Sequence, residues 1–151
     1  ATNGTSMSKL VLSLLLVLPL AAAAQPYARQ AKCLADNLHA EARGESLAGI
    51  KAVASVVLNR VKSKRWPNTI CKVVYQHKQF SWANNYHARY PTNVAYTQHV
   101  QLVVSKAIAG KLRDNTRGAT HYHTLAVKPG WSRRLVKIKT IGFHVFYRYR
   151  K

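Results

Sequence analysis

The chain has 151 residues, enough for one domain with a single hydrophobic core. It carries 24 Lys and Arg against four Asp and Glu, a formal net charge of +20, which indicates a polyanionic partner such as nucleic acid, anionic lipid or an acidic wall polymer. The sequence has no Gly-rich phosphate loop and no Gly-x-Ser-x-Gly elbow, which argues against P-loop nucleotide enzymes and α/β-hydrolases.

The N-terminus has the layout of a secretory signal peptide. A short positive start at residues 7–9 precedes an apolar run at 10–20 and four alanines at 21–24. The run is shorter than the roughly 20 residues of a membrane-spanning helix, although a retained anchor is the alternative. We therefore predict that residues 1–24 are upstream sequence plus a signal peptide. Residues 25–151 should form one domain that is exported to the periplasm or out of the cell.

Cys33 and Cys71 are the only cysteines. An even number of cysteines in an exported chain predicts a disulfide, and the alternative is a pair of free buried thiols. The loop between them has 37 residues, for which the chain-entropy model gives a stabilisation on the order of 4 kcal/mol.

Apolar residues at helical spacing predict four helices in the first two thirds of the domain. We predict them over residues 28–43, from Ser46 to before Trp66, over 69–76 and over 94–112. Gly44 and Gly110 stand near the expected ends of the first and last helix, and Ser46 can cap the second. The second helix has the strongest period, with one apolar face formed by Ile50, Val53, Ala54, Val57, Leu58 and Val61.

The last third of the chain changes from helical to strand-like patterns. Residues 77–92 are polar and aromatic without a period, so we expect a long functional loop there. After Gly118, the runs at 119–125, 135–141 and 143–148 alternate apolar and polar residues, as strands do. Helices followed by a small antiparallel sheet predict an α+β domain that is mainly helical.

Two of the four carboxylates lie in the stretch HAEARGES, residues 39–46. Glu41 lies at the edge of the apolar stripe of its helix, where partial desolvation favours the protonated form that a general acid needs. Nearby Lys and Arg would act in the opposite direction. Glu45 follows Gly44 at the start of the next helix, where the helix dipole stabilises a carboxylate, so we interpret it as support for the site.

The other two carboxylates restrict the mechanism. Glycosidases commonly need two carboxyl groups that face each other across the scissile bond. Asp36 points to a different side of the helix from Glu41, and Asp114 lies in the turn KLRDNTRG. A mechanism with one carboxylate is therefore the better fit.

Other clusters leave alternatives open. His121 and His123 lie on one side of a predicted strand, and together with His144 they form a candidate metal site of a hydrolase or an exported nuclease. No HExxH motif supports a metal, hydrogen bonding in a groove is the alternative, and we predict no metal or other cofactor. QFSW at 79–82 combines a ring with polar partners, a mixture that suits sugar or simply anchors the loop.

These segments together resemble the cell wall hydrolase family of the spore-cortex-lytic, SleB type. The matching segments are EARGES at 41–46, VASVVLNRV at 53–61, WPNTICKVVYQ at 66–76, QFSW at 79–82, GATHYH at 118–123, Pro129, Trp131 and TIGFHVFYR at 140–148. They follow the family's order and cover nearly all of the mature chain.

The resemblance implies a lysozyme-like fold related to lytic transglycosylases and an enzyme that cleaves peptidoglycan between N-acetylmuramic acid and N-acetylglucosamine. It implies that Glu41 is the single catalytic acid, which then acts as a base and yields a 1,6-anhydro product. The glycan groove would include Gln79, Ser81, Trp82, His121, Tyr122 and His123. The residue two positions before the acid is often aromatic in the family, and here it is His39.

Peptidoglycan is thus the expected substrate of a monomeric enzyme without a specific nucleic-acid partner. The mature chain would keep 23 Lys and Arg against four acids, so anionic envelope polymers or lipids should attract it electrostatically. A hydrolytic muramidase, a cationic envelope-binding or membrane-active protein, and an exported metal-dependent nuclease are the alternatives. Within the family, both exported bacterial hydrolases and phage lysis proteins fit.

Overall fold

The computed structural model describes residue 1, residues 21–76 and residues 93–151. The helices are α1 Ala21–Glu41, α2 Leu47–Lys62, α3 Ile70–Val74 and α4 Val94–Ile108, and a 3-10 helix spans Gly130–Arg134. The strands are β1 His121–Thr124, β2 Val136–Ile141 and β3 His144–Arg148. Helices thus precede a small antiparallel sheet near the C-terminus, and the predicted α+β class is confirmed.

Helix α2 is central to the domain because both of its long sides are buried. Ser46 caps it as predicted, since its hydroxyl accepts a hydrogen bond from Gly49 N at 3.4 Å. The predicted apolar face packs into the core that α2 shares with the other helices, through Ile50, Val53, Ala54 and Val57. The opposite side places Ala52 and Val56 against Phe146 of β3. This second face, which the strongest period did not include, joins the helices to the sheet.

Two helix boundaries differ from the prediction. Helix α1 is already formed at Ala21, before the predicted start at residue 28, because alanine has the highest helix propensity. Helix α4 ends at Ile108 although the apolar pattern runs to residue 112. Gly110 adopts a φ of 68°, and Lys111 N donates to Lys106 O at 2.8 Å, which closes the helix in a Schellman motif.

The sheet has the order β1-β3-β2, and both strand pairs are antiparallel. Strands β2 and β3 form a hairpin whose turn contains Gly142 with a φ of 56°. Along β1, Tyr122 lies opposite Phe146 and faces α2, whereas His121 faces the 3-10 helix. Strand β1 is therefore an edge strand with one face toward the helices and the other toward the 3-10 helix.

Two predicted segments lie outside the described residues. These are the apolar run of the signal peptide at 10–20 and the loop at 77–92. In the ranges that are described, no helix combines the length and apolar character needed to cross a membrane.

Cys33 of α1 and Cys71 of α3 form the predicted disulfide, with a sequence separation of 38. The backbone N of Cys71 also donates to Gln30 Oε1 at 2.9 Å. The bridge therefore fixes the short third helix against the first.

Reduction of this disulfide should lower the free energy of unfolding by about 4 kcal/mol, because the open chain regains entropy that the closed loop removes. Urea unfolding with and without a reductant measures the loss, and a Cys33→Ala/Cys71→Ala variant shows how much of it comes from the reagent. A loss well below about 1 kcal/mol would mean that packing alone holds α3 on α1.

Candidate active site

Glu41 is the last residue of α1 and is bound to the sheet through β1. The phenol of Tyr122 donates a hydrogen bond to Glu41 Oε2, with an O···O distance of 3.0 Å. Burial, the Glu41 carboxylate and this hydrogen bond raise the pKa of Tyr122 well above its usual value. Tyr122 therefore remains protonated and a hydrogen-bond donor to Glu41 throughout the physiological pH range.

A buried arginine adds positive charge beside this pair. Arg60 of α2 is 6 % exposed, and its Nε donates to Thr120 O at 2.8 Å. Burial lowers the pKa of Arg60, while the nearby Tyr122 and Glu41 oppose that shift. The guanidinium is thus within electrostatic reach of the carboxylate. Sequence reasoning missed this residue, although it is a charged position on the apolar period of α2.

Glu45 is buried and bound to the β2–β3 hairpin, and not to the start of α2 as its position indicated. Its Oε1 accepts hydrogen bonds from Phe143 N and from His144 Nδ1, both at 2.8 Å. The Glu45 side chain is 2 % exposed. Gly44, with a φ of 79°, makes the turn between Glu41 and this anchor. Glu45 therefore fixes the turn that follows the acid to the sheet.

Two glycines provide the space for the Glu45 carboxylate. A Cβ atom at Gly49 or at Gly142 would overlap Glu45 Oε2. His144 in turn packs edge-on against Tyr122, with ring centroids 5.0 Å apart and planes at 87°. Glu45, His144 and Tyr122 thus form a contiguous series that ends at the acid.

The two remaining carboxylates are engaged elsewhere. Asp36 accepts from Lys32 Nζ at 2.8 Å and from Tyr75 OH at 3.1 Å. Asp114 organises the turn before β1, which confirms its predicted role. Its hydrogen-bond donors are Asn59 Nδ2, Gly118 N, and the amide and hydroxyl of Thr116. Of the four carboxylates, Glu41 is therefore the one placed beside a phenol and a buried guanidinium.

Strand β1 separates the members of the HYH motif. Tyr122 faces the acid, whereas His121 and His123 face the other way, against Trp131 at ring-centroid distances of 5.4 and 5.8 Å. His144 lies on the Tyr122 side, so the three histidines do not converge as metal ligands. In the described part of the chain, no group of three or more His, Cys, Asp or Glu is arranged to hold a metal ion.

The predicted glycan-contacting residues are therefore divided. Tyr122 reaches the acid, while His121 and His123 belong to an aromatic cluster on the outer face of the sheet and stay predictions as glycan contacts. Gln79, Ser81 and Trp82 lie outside the described residues.

His39, in the position of the expected aromatic residue, is 4 % exposed and packs against Tyr96 of α4 with ring centroids 5.7 Å apart. Burial lowers the pKa of His39; Asp36 opposes this shift and Arg43 adds to it. The ring is thus neutral at physiological pH. It fills the α1–α4 interface just before the acid.

The pKa of His121 is lowered to about 4 by burial and by the charge of Arg60. The unfolded residue titrates near 6.5, so as the pH falls the unfolded chain binds its proton first and stability is lost between about 6.5 and about 4. We expect this residue to account for a loss on the order of 1–2 kcal/mol, since it is only partly buried. Urea unfolding at pH 7 and pH 4.5 should show a smaller loss for His121→Phe than for wild type, and equal losses would contradict the assignment.

A family model described as Cell Wall Hydrolase matches residues 44–147. The matched range runs from the turn after Glu41 almost to the end of β3 and covers more than half of the chain. The chain belongs to the cell wall hydrolase family. The match includes Glu45, Arg60, Tyr122 and His144 and begins three residues after Glu41.

Relatives of this cell wall hydrolase include spore cortex-lytic enzymes. The enzyme of Bacillus cereus is 34 % identical over 116 residues, which are 75 % of this chain and 42 % of the relative. The enzyme of Bacillus subtilis is 31 % identical over 117 residues, 76 % of this chain and 36 % of the relative. The chain thus spans less than half the length of these relatives.

Two solved structures share the fold. The catalytic domain of Bacillus cereus SleB superposes with a TM-score of 0.64 at 27 % identity, covering 80 % of this chain and 91 % of that domain. The catalytic domain of the germination-specific lytic transglycosylase SleB from Bacillus anthracis gives a TM-score of 0.63 at 29 % identity, with coverages of 79 % and 93 %. These matches confirm the predicted lysozyme-like, lytic transglycosylase-like α+β fold.

Proposed function

We propose that this cell wall hydrolase degrades peptidoglycan as a lytic transglycosylase. It cleaves the glycan strand between N-acetylmuramic acid and N-acetylglucosamine with Glu41 as its single catalytic carboxyl group. The main support is the placement of Glu41 against Tyr122 and near Arg60, while the carboxylate of Glu45 is bound to the hairpin. The names of the relatives, spore cortex-lytic enzyme and lytic transglycosylase, support the substrate and the reaction.

Glu41 acts first as an acid and then as a base. It donates its proton to the glycosidic oxygen as the bond from C1 of the muramic residue to that oxygen breaks. The C6 hydroxyl of the same residue then attacks C1, and the Glu41 carboxylate accepts the hydroxyl proton. The products are a 1,6-anhydromuramic end and a free 4-hydroxyl on N-acetylglucosamine. No water is consumed, and Glu41 regains its starting protonation state.

The neighbours of Glu41 have separate roles. The Tyr122 hydroxyl holds Oε2 and fixes the orientation of the carboxyl group. The positive charge of Arg60 stabilises the carboxylate between the two proton transfers, since an opposite charge favours the ionised form. Glu45 contacts no reacting atom in this scheme and acts as a positioning residue through the hairpin.

The masses of the released muropeptides test this mechanism. A transglycosylase releases anhydro products, which are lighter by one water than the products of hydrolysis. If only reducing-end products are found, without any anhydro species, the enzyme is a hydrolytic muramidase and not a transglycosylase. Full activity in the presence of a chelator, together with intact DNA, would exclude the metal-dependent nuclease.

Replacement of Tyr122 by Phe should lower kcat for glycan cleavage by about tenfold with little change in KM, because a hydrogen bond to the catalytic carboxylate is lost. Tyr75→Phe is the matched control, since its hydroxyl also donates a hydrogen bond to a carboxylate, Asp36 Oδ2, at 3.1 Å. Steady-state kinetics on soluble glycan chains measure both variants. Equal effects of the two substitutions would argue against a role for the Tyr122 hydroxyl at Glu41.

We also propose that the protein acts as an exported monomer in the cell envelope. The 23 Lys and Arg of the mature chain against four acids would concentrate it on anionic polymers or lipids around the glycan. Binding to whole envelopes should therefore weaken as salt is raised, because exposed charges are screened beyond about 10 Å at 0.1 M ionic strength.

A further inference from the structure

A concave cationic surface lies between the end of α2, the turn before β1 and the end of β3. It encloses about 620 Å³. We call it the cationic groove and define it by Arg65, Trp66, Arg117, Arg148, Tyr149 and Arg150. Among the described residues that line it, none is acidic. Neither Glu41 nor Tyr122 belongs to its lining, although Trp66 and Tyr149 pack against His121, a predicted glycan contact.

Two of the groove arginines are constrained by the protein itself, one through its side chain and the other through its backbone. The guanidinium carbon of Arg65 lies 4.5 Å from the centre of the Tyr149 ring. Arg117 has a φ of 53° and is the one non-glycine residue with positive φ in the described part of the chain. A left-handed arginine costs roughly 1–2 kcal/mol, and such strain is commonly stored at functional positions.

The turn around Arg117 is rigid because a carboxylate organises it. Asp114 accepts hydrogen bonds from Thr116 N and Gly118 N, the amides on either side of Arg117, both at 2.7 Å. The carboxylate is thus used by the turn and does not line the groove. The turn fixes the backbone position from which the exposed Arg117 side chain lines the groove.

We propose that the cationic groove binds a linear phosphodiester polymer of the cell envelope, in which polyol or sugar units alternate with phosphates. Arginine forks match the geometry of phosphate oxygens, and Trp66 and Tyr149, which line the groove, offer apolar contact to the units between the phosphates. This inference gives the electrostatic part of the proposed function a specific site. It does not depend on glycan cleavage, because Glu41 lies outside the groove.

The shape of the groove favours a single flexible chain over other polyanions. Its volume is in the range of roughly 300–1,000 Å³ that holds small ligands or a few polymer units. A membrane surface is bound by an amphipathic face with apolar anchors, and this site is concave and cationic. A DNA duplex is read by an element that enters its grooves, which a concavity does not do.

Two charge-matched double variants test the groove. Arg117→Asn/Arg150→Gln removes two groove cations, and Asn tolerates the left-handed backbone. Lys137→Gln/Lys139→Gln removes two exposed cations from β2, neither of which lines the groove. Both variants have the same net charge. The probe is a fluorescent poly(glycerol phosphate) oligomer of about ten units, a length chosen to exceed the few polymer units such a pocket holds. Polyglutamate, phosphatidylglycerol vesicles and duplex DNA serve as comparators.

The groove variant should bind the oligomer about tenfold more weakly, and the slope of its affinity against salt should fall by about two. The β2 variant should lose about twofold or less, as expected for exposed charges. If Arg117→Asn alters the unfolding curve, the test is repeated with Arg150→Gln alone. This single variant should bind the oligomer about threefold more weakly.

Equal losses of oligomer affinity in the two double variants would overturn the proposed site. The oligomer would then be attracted by the net charge of the protein and not by the groove. Tighter binding of polyglutamate, vesicles or duplex DNA through the same two arginines would overturn the phosphodiester assignment. Cleavage of a soluble glycan is measured on the wild-type protein in parallel. Its absence would sink the proposed function while leaving the binding result intact.

Discussion

Glu41→Gln should reduce glycan cleavage by at least about a thousandfold and leave the fold intact. The amide cannot donate an acid proton to the glycosidic oxygen or take one from the C6 hydroxyl, and general acid–base catalysis contributes about 10²–10⁴-fold per group. The amide oxygen can still accept the hydrogen bond from Tyr122, so the contact between α1 and β1 is kept. Release of muropeptides per mole of folded protein measures the effect.

Two other carboxylates of the chain are the controls for this substitution. Asp36→Asn makes the same charge change on the same helix, at a residue paired with Lys32 and Tyr75, and cleavage should stay within about threefold of wild type. Glu45→Gln weakens a buried contact, so its partial loss of activity should follow its loss of folded protein. Lysis that survives Glu41→Gln would favour a cationic membrane-active protein over an enzyme.

Local pattern was enough to single out Glu41 as the candidate acid but not to find its neighbours. Glu41 and Glu45 stand out in the sequence because the chain has only four acidic residues and the glycine between these two interrupts a helical period. The partners Tyr122 and His144 follow them by 81 and 99 positions. Contacts between residues so far apart in the sequence are set by tertiary packing. The apolar periods of helices and strands do not predict them. The metal hypothesis for His144 was wrong for the same reason, because strand pairing placed it on the other face from His121.

The helices were predicted more closely than the contacts between them. The apolar period of α2 identified one buried face, yet a period cannot show that a sheet covers Ala52 and Val56 on the other side. The alternating runs gave three strands, but the order β1-β3-β2 depends on how the hairpin docks on α2. Helix α4 ends before Gly110, although the apolar pattern continues to residue 112. The left-handed backbone of Gly110 closes the helix in a Schellman motif, which cannot be extended as a helix.

Gly142→Ala should destabilise the protein by about 4 kcal/mol, the largest effect we expect from adding one methyl group. An alanine there must adopt a left-handed φ near 56°, which costs about 1 kcal/mol. Its Cβ would also overlap Glu45 Oε2 and force the carboxylate away from Phe143 N and His144. Breaking a buried pair of this kind costs about 3 kcal/mol more. Urea unfolding at pH 7 measures the total.

Two other glycines separate the contributions. Gly110→Ala has the same backbone strain, with φ 68° and no atom within 4 Å of the added Cβ, and should cost about 1 kcal/mol. Gly130→Ala has neither strain nor contact and should change stability by less than about 0.5 kcal/mol.

In a Glu45→Ala background, Gly142→Ala should cost only its strain of about 1 kcal/mol, which gives a coupling of about 3 kcal/mol between the two positions. Additive losses would mean that the carboxylate does not fill the space beside Gly142. The hairpin would then be held to the α1–α2 turn by something other than Glu45. With the coupling present, the anchoring of the turn that follows the proposed acid, Glu41, depends on the absence of a single side chain in the β2–β3 turn.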